Sequence, residues 1–114
     1  MMNLPNANRT MDLLTKALMK KIPALGSQDG KGEDTILYAK FFLNEWTWFL
    51  TEMDPNTLMC FGKVFSGHCP EGELGYFNLK ELASLRGPIG NAVERDRFFD
   101  PVAIKNCTDH AFVK

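Results

Sequence analysis

The chain has little that would tie it to one chemistry. Three of its 114 residues are cysteine, Cys60, Cys69 and Cys107. So sparse and odd a set makes no disulfide framework, and a reduced, cytoplasmic protein is the plain expectation. There are two histidines and no Cys-x-x-Cys pair. The net charge is -1, so the molecule as a whole does not attract nucleic acid or an anionic membrane. No apolar run approaches the roughly 18 residues of a membrane-spanning helix. The first nine residues lack a continuous apolar stretch and do not read as a secretory signal. Internal repeats and low-complexity tracts are absent too.

What is present is core-forming material. Hydrophobic residues make up 45%, with nine Phe and two Trp, enough for one core at this length but not for two. Residues 1–114 therefore read as one domain. Its ordered core is expected over 13–99, with flexible tails at 1–10 and 100–114.

Leu14, Leu18, Met19 and Ile22 share one helical stripe. Thr15 suits the N-cap and Pro23 the stop; a start near Thr10, with Asp12 in the first turn, is the alternative. Gly26 to Asp34 has three glycines and nothing large to bury, so it reads as a mobile loop. Strands are expected at 35–43, 46–53, 58–66 and 73–77, and a short one at 91–99. Their connections, Asn44-Glu45, Asp54 to Thr57 and Gly67 to Gly72, are too short for parallel crossovers. Asn78 and Glu81 stand at the capping-box spacing before a helix whose stripe is Leu79, Leu82 and Ala83. Leu85 is expected to pack as the chain leaves, and Gly87-Pro88 to end the helix. The fold class is α+β: an antiparallel meander of four to five strands with two short helices packed on it.

Candidate chemistry is thin. Glu52 with Asp54, and Glu94 with Asp96, are spaced to share a strand face. Converging, the pairs would suit a divalent cation or acid–base work. Their plainer role is as strand-end charges, open to water or paired with Arg86, Arg95 or Arg97. His68, Cys69, Cys107 and His110 carry zinc-binding atoms without zinc spacing. Cys60 falls inside a strand and reads as a small core residue. Trp46 and Trp48, with Tyr38, Tyr76 and Phe77 on other strands, would stack nucleic-acid bases if exposed. Only Lys40 and Lys63 punctuate those strands, which favours core packing. Arg86, beside a stiff proline corner, is positioned to bridge carboxylates, with Glu52 or Glu94 as partners. The glycine loop lacks Gly-Lys-Ser/Thr and does not lead a strand into a helix, so it is no phosphate loop.

The ordered blocks Leu14-Thr-Lys16, Lys21-Ile-Pro23, Lys40-Phe-Phe42, Trp46-Thr-Trp48, Glu52-Met-Asp54, Glu73-Leu-Gly-Tyr-Phe77, Leu79, Glu81-Leu82, Ser84-Leu-Arg-Gly-Pro88 and Glu94-Arg-Asp96 resemble a small family. Its members are domain-of-unknown-function proteins of bacterial plasmids, integrative conjugative elements and phages. The resemblance covers about residues 13–99 and carries over no catalytic residues. It implies a small domain in the cargo of a mobile element, a setting associated with transfer or with countering host defence.

The reading that follows is a non-enzymatic binding module for a protein partner, as an inhibitor of a host defence system or an accessory to transfer. No catalytic residue, metal ligand or cofactor is assigned, and a monomer or weak dimer is expected. Its binding residues are expected among Trp46, Trp48, Glu52, Asp54, Tyr76, Arg86, Glu94, Arg95 and Asp96. Two rivals remain: a divalent-metal hydrolase or nuclease using Glu52, Asp54, Glu94 and Asp96, and a nucleic-acid binder using the aromatic face.

Overall fold

Alternating side chains and short turns lay the middle of this chain out as hairpins. The structure, a computed structural model, describes residues 13–112. Helix α1 spans Lys16–Met19. Strands follow at Ile36–Leu37 (β1), Ala39–Leu43 (β2), Trp46–Met53 (β3), Met59–Ser66 (β4) and Cys69–Asn78 (β5). Helix α2 is Leu79–Ser84, and short strands Glu94–Arg95 (β6) and Val102–Ala103 (β7) complete the set. The main sheet is antiparallel with order β5-β4-β3-β2-β6, and β1 pairs with β7 in a small second sheet. This is the α+β meander the sequence implies. Among the described residues, no helix is long and apolar enough to cross a membrane.

The turns follow local chemistry. Asn44 takes φ 53 in the β2–β3 turn, a conformation that asparagine tolerates. The β4–β5 connection is tighter than expected: Ser66 faces Cys69, so only Gly67 and His68 lie between the paired residues. The expected strand 35–43 is broken at Tyr38, whose N–H donates to the Leu50 carbonyl. The expected strand 91–99 shrinks to Glu94–Arg95, preceded by a lone bridge between Arg86 and Ala92.

A bulge between Leu50 and Glu52 shifts the register of β3 on β4. Before it, Trp48 and Leu50 face one side of the sheet; after it, Met53 joins them. Glu52 is thereby turned to the other side, with Phe49. Opposite the bulge, Gly62 pairs with Leu50. A Cβ there would run into the Phe49 carbonyl, so the close approach of these strands requires glycine.

Both faces of the sheet are covered. On the first, Phe41, Trp48, Leu50, Cys60 and Phe77 pack under Leu13, Leu14, Ile22 and the α2 residues Leu79, Leu82 and Ala83. Thr15 caps α1 as expected, accepting from Leu18 N–H at 3.2 Å. The helix is only four residues long, so Leu14 and Ile22 reach the core from its flanks. The alternative start at Thr10–Asp12 and the lead-in 1–10 lie outside the described residues.

The second face holds Leu37, Phe49, Phe65 and Cys107, with Phe99, Val102, Ile104, Ala111 and Phe112 packed on them. Residues 102–112 are thus packed structure where a tail was expected. Single side chains from an irregular segment fill this face, with Phe112 edge-on to Phe49 and Phe65 at 4.9 and 5.0 Å. Such packing leaves no period in the sequence.

Two details of α2 differ from expectation. Asn78 caps it by accepting from Lys80 N–H at 2.8 Å, but the reciprocal bond from Glu81 is not formed. Asn78 still belongs to β5, in register with Met59, and Glu81 is exposed. The helix also ends early. Leu85 turns extended, φ -67 and ψ 143, two residues before Gly87, which keeps an ordinary φ.

Candidate functional site

The chain leaving α2 must cross the first face to reach β6 beside β2. That crossing builds a groove. One wall is the sheet, with Leu43, Trp46 and Trp48; the other is Leu82, Leu85, Arg86 and Pro88. The enclosed volume is about 540 Å³.

The tryptophans divide the work of the sheet wall. Their rings stack at 5.8 Å and 16°. Trp48 is buried, whereas Trp46 is 46% exposed. The inner ring belongs to the core, and the outer one keeps part of its surface open at the groove. Leu85, expected to pack inward, is 41% exposed and stands on the opposite wall. Tyr76 borders the groove, but its ring packs against Phe61 at 4.9 Å. Phe61 is its cross-strand neighbour, so that ring lies on the second face.

Arg86 is not the carboxylate bridge that was expected. Among the described residues it forms no ion pair with Glu52 or Glu94. Its Nη1 donates to the carbonyls of Ala83 at 3.0 Å and Leu85 at 2.7 Å. It closes the open C-terminal end of α2, where a cation also suits the helix dipole. The crossover is held from its far side as well. Gly87 N–H donates to the Asn91 carbonyl at 2.7 Å, and Asn91 Nδ2 donates to Asn44 Oδ1 at 3.1 Å. The second contact ties the crossover to the β2–β3 turn and fixes the groove width at that end.

The acidic residues are elsewhere, each with its own task. Glu52 is buried, and its carboxylate accepts from Gly26 N–H at 2.6 Å and Gln28 N–H at 3.0 Å. Buried Gln28 in turn donates to the Ile36 and Thr51 carbonyls, both at 3.0 Å, and accepts from Ile36 N–H at 2.7 Å. The glycine loop expected to be mobile is therefore fastened to β1 and β3. Asp54 has left the strand and caps its own turn, accepting from Asn56 N–H at 2.8 Å. Glu94 is exposed on the edge strand. Asp96 accepts from Phe98 N–H at 2.9 Å and stands 4.0 Å from Lys40; its ion pair is with a lysine, not an arginine. Arg95 is half-buried, and its Nε has no hydrogen-bond partner.

Among the described residues, no group of three or more His, Cys, Asp or Glu stands where it could hold a metal ion. The convergence that the metal-hydrolase reading needs is not seen. The three cysteines are free. Burial pushes the Cys60 thiol up to about 12, far from the thiolate a nucleophile needs.

Of the nine residues singled out from the sequence, Trp46, Trp48, Tyr76 and Arg86 border the groove. Glu52, Asp54, Glu94, Arg95 and Asp96 do not. Sequence reasoning missed Leu43, Asn44, Leu82, Leu85 and Pro88 as groove residues, although the Ser-Leu-Arg-Gly-Pro block that supplies two of them stood out as a stiff corner. No curated protein and no solved structure matches the chain. The family described as "Protein of unknown function (DUF2958)" matches residues 13–109, a span that takes in both groove walls and most of the segment closing the second face, and the chain belongs to that family.

Proposed function

We propose that this chain is a small, non-enzymatic binding module that receives a segment of a protein partner in the Trp46–Pro88 groove. The observation that carries the reading is the half-exposed Trp46 ring, backed by buried Trp48 and facing exposed Leu85. Aromatic anchors on a well-packed floor, ringed by polar groups, are the usual anatomy of a binding hot spot. Here Arg86, Glu81 and Asn44 form the rim. The lining offers one arginine and no lysine against one glutamate, which favours a peptide over a nucleic-acid backbone.

The partner proposed is a cytoplasmic component of host defence or of conjugative transfer. The support for that setting is the resemblance of the sequence blocks to proteins of mobile elements. The test is capture from host cells with the immobilised chain and two variants, Trp46→Ala and Leu85→Glu. Both sites are surface-exposed, and circular dichroism verifies folding. A partner bound through the groove loses at least about 30-fold in affinity, the equivalent of a hot spot worth 2 kcal/mol. Binding that survives both variants overturns the groove reading.

A further inference from the structure

A second surface lies on the other side of β5. This strand ends the main sheet, and among the described residues nothing pairs with its outer edge. It is ten residues long. From Gly72 to Asn78 Glu73 is its one charge, and the stretch has no lysine, no proline and no bulge in the register with β4 to blunt the edge. Two large apolar side chains stand exposed on it, Leu74 at 60% and Tyr76 at 69%.

The geometry points to β5 as the site where a second copy of this chain adds antiparallel, joining two sheets into one. The backbone sets the permitted registers. Leu79 N–H donates to the Leu58 carbonyl at 3.0 Å, and bonding alternates along an antiparallel ladder. Residues 73, 75 and 77 therefore turn their amides toward β4, while 72, 74 and 76 turn theirs outward. A two-fold axis beside Gly75 places Leu74 opposite Tyr76 of the second copy, and Tyr76 opposite its Leu74. Both are outward-facing pairs, so each exchanges two hydrogen bonds. Leu74 and Tyr76 also share the face of Phe61 and Lys63, so the apolar pairs extend an existing row.

The charges agree with this register. The two Glu73 residues lie four positions apart along the ladder, roughly 13 Å. Gly75 meets its own counterpart on the axis, and it has open space where a Cβ would stand. The paired stretch, residues 72–78, is about 23 Å long and about 10 Å thick, or roughly 230 Å² per copy. A standard stable interface needs about 800 Å² per partner, so the dimer is weak and forms only at high concentration.

Two measurements on the full chain test this. Sedimentation velocity over about 5–500 µM should show a monomer passing into a dimer, and Leu74→Lys should remain a monomer throughout. For the register, half-exposed Cys69 is replaced by serine and Gly75→Cys is added. Unbonded antiparallel pairs have Cα atoms about 4.5 Å apart, within disulfide reach. Mild oxidation should then give a disulfide dimer at Gly75→Cys and none at Glu73→Cys. A chain that stays monomeric at every concentration overturns the proposal. So does a dimer that tolerates Leu74→Lys, or one that cross-links equally well through both cysteine positions.

Discussion

Gln28 donates its backbone N–H to Glu52 Oε2 at 3.0 Å, across 24 residues of sequence, and both side chains are buried. Glu52 accepts a second N–H from Gly26. Gln28 spends its own amide on Ile36 and Thr51, standing in for a strand between β1 and β3. The carboxylate thus acts as a loop anchor. Glu52→Ala is expected to cost about 2–4 kcal/mol, because two backbone donors lose a charged acceptor. Gln28→Ala should cost about 1–3 kcal/mol for the carbonyls and amide it strands. Urea unfolding measures both. A Glu52→Ala protein as stable as the parent would show that the loop is held by something else.

This anchor also shows why part of the fold was hidden in the sequence. Trp46 to Met53 announces a strand through alternation, and Asn78 with Leu79, Leu82 and Ala83 announces a capped helix; both patterns are local. Gly26 to Asp34 holds no apolar residue, so composition suggests freedom, yet one buried glutamine and a distant glutamate fasten it. Val102, Ile104, Cys107 and Phe112 reach the second face one at a time from a two-residue strand, a single 3-10 turn and the loop after it, which gives no periodicity to detect. The groove was half legible for a related reason. Trp46 and Arg86 stand out by residue type, but Leu85 turns outward only because α2 ends there.

The cap of α2 separates two neighbouring residues. Asn78 accepts the Lys80 N–H and also donates to the Thr57 carbonyl at 3.2 Å. Asn78→Ala should therefore cost about 0.5–2 kcal/mol. Glu81 makes no reciprocal bond, so Glu81→Ala should change stability by less than about 0.5 kcal/mol. A pair of thermal melts decides the matter: equal losses at the two positions would mean that a full capping box forms in solution.

The thiols should differ in reactivity. Cys60 is fully buried, and burial raises its pKa to about 12. Cys107 is buried under the second-face cluster and its thiol is raised as well, chiefly by burial. Cys69 is half-exposed at the start of β5. Near pH 8 the native chain should label rapidly at one thiol, and Cys69→Ser should abolish that fast phase. Denaturant should release the other two. Fast labelling at Cys107 would mean that residues 102–112 leave the sheet readily.

Acid should loosen that same segment through one ion pair. Lys40 Nζ lies 2.6 Å from Asp109 Oδ2, and both side chains are 12% exposed. Burial alone would raise the Asp109 carboxyl; the Lys40 hydrogen bond, the Ala111 N–H and the lysine charge outweigh it and hold the pKa below the ordinary 3.8. A carboxyl depressed in the folded state adds stability that is fully present above its unfolded pKa, near ~3.9. That stability is lost as pH falls through the lower, folded value. Stability should thus be flat in this respect from about pH 5 to neutrality and fall below pH 4. Lys40→Met leaves a shielded carboxylate unpaired at neutral pH, at a cost of about 1–3 kcal/mol. It should also flatten the acid limb, because Asp109 would then gain little by staying ionised. The exposed Asp34–Lys105 pair, also 2.6 Å apart, is the control: screened by water and salt, it should leave the acid limb nearly unchanged when Lys105 is replaced by methionine. Urea titrations of the parent and both variants between pH 2.5 and pH 7 would resolve the difference. An acid limb untouched by Lys40→Met would mean that another carboxylate controls the acid transition.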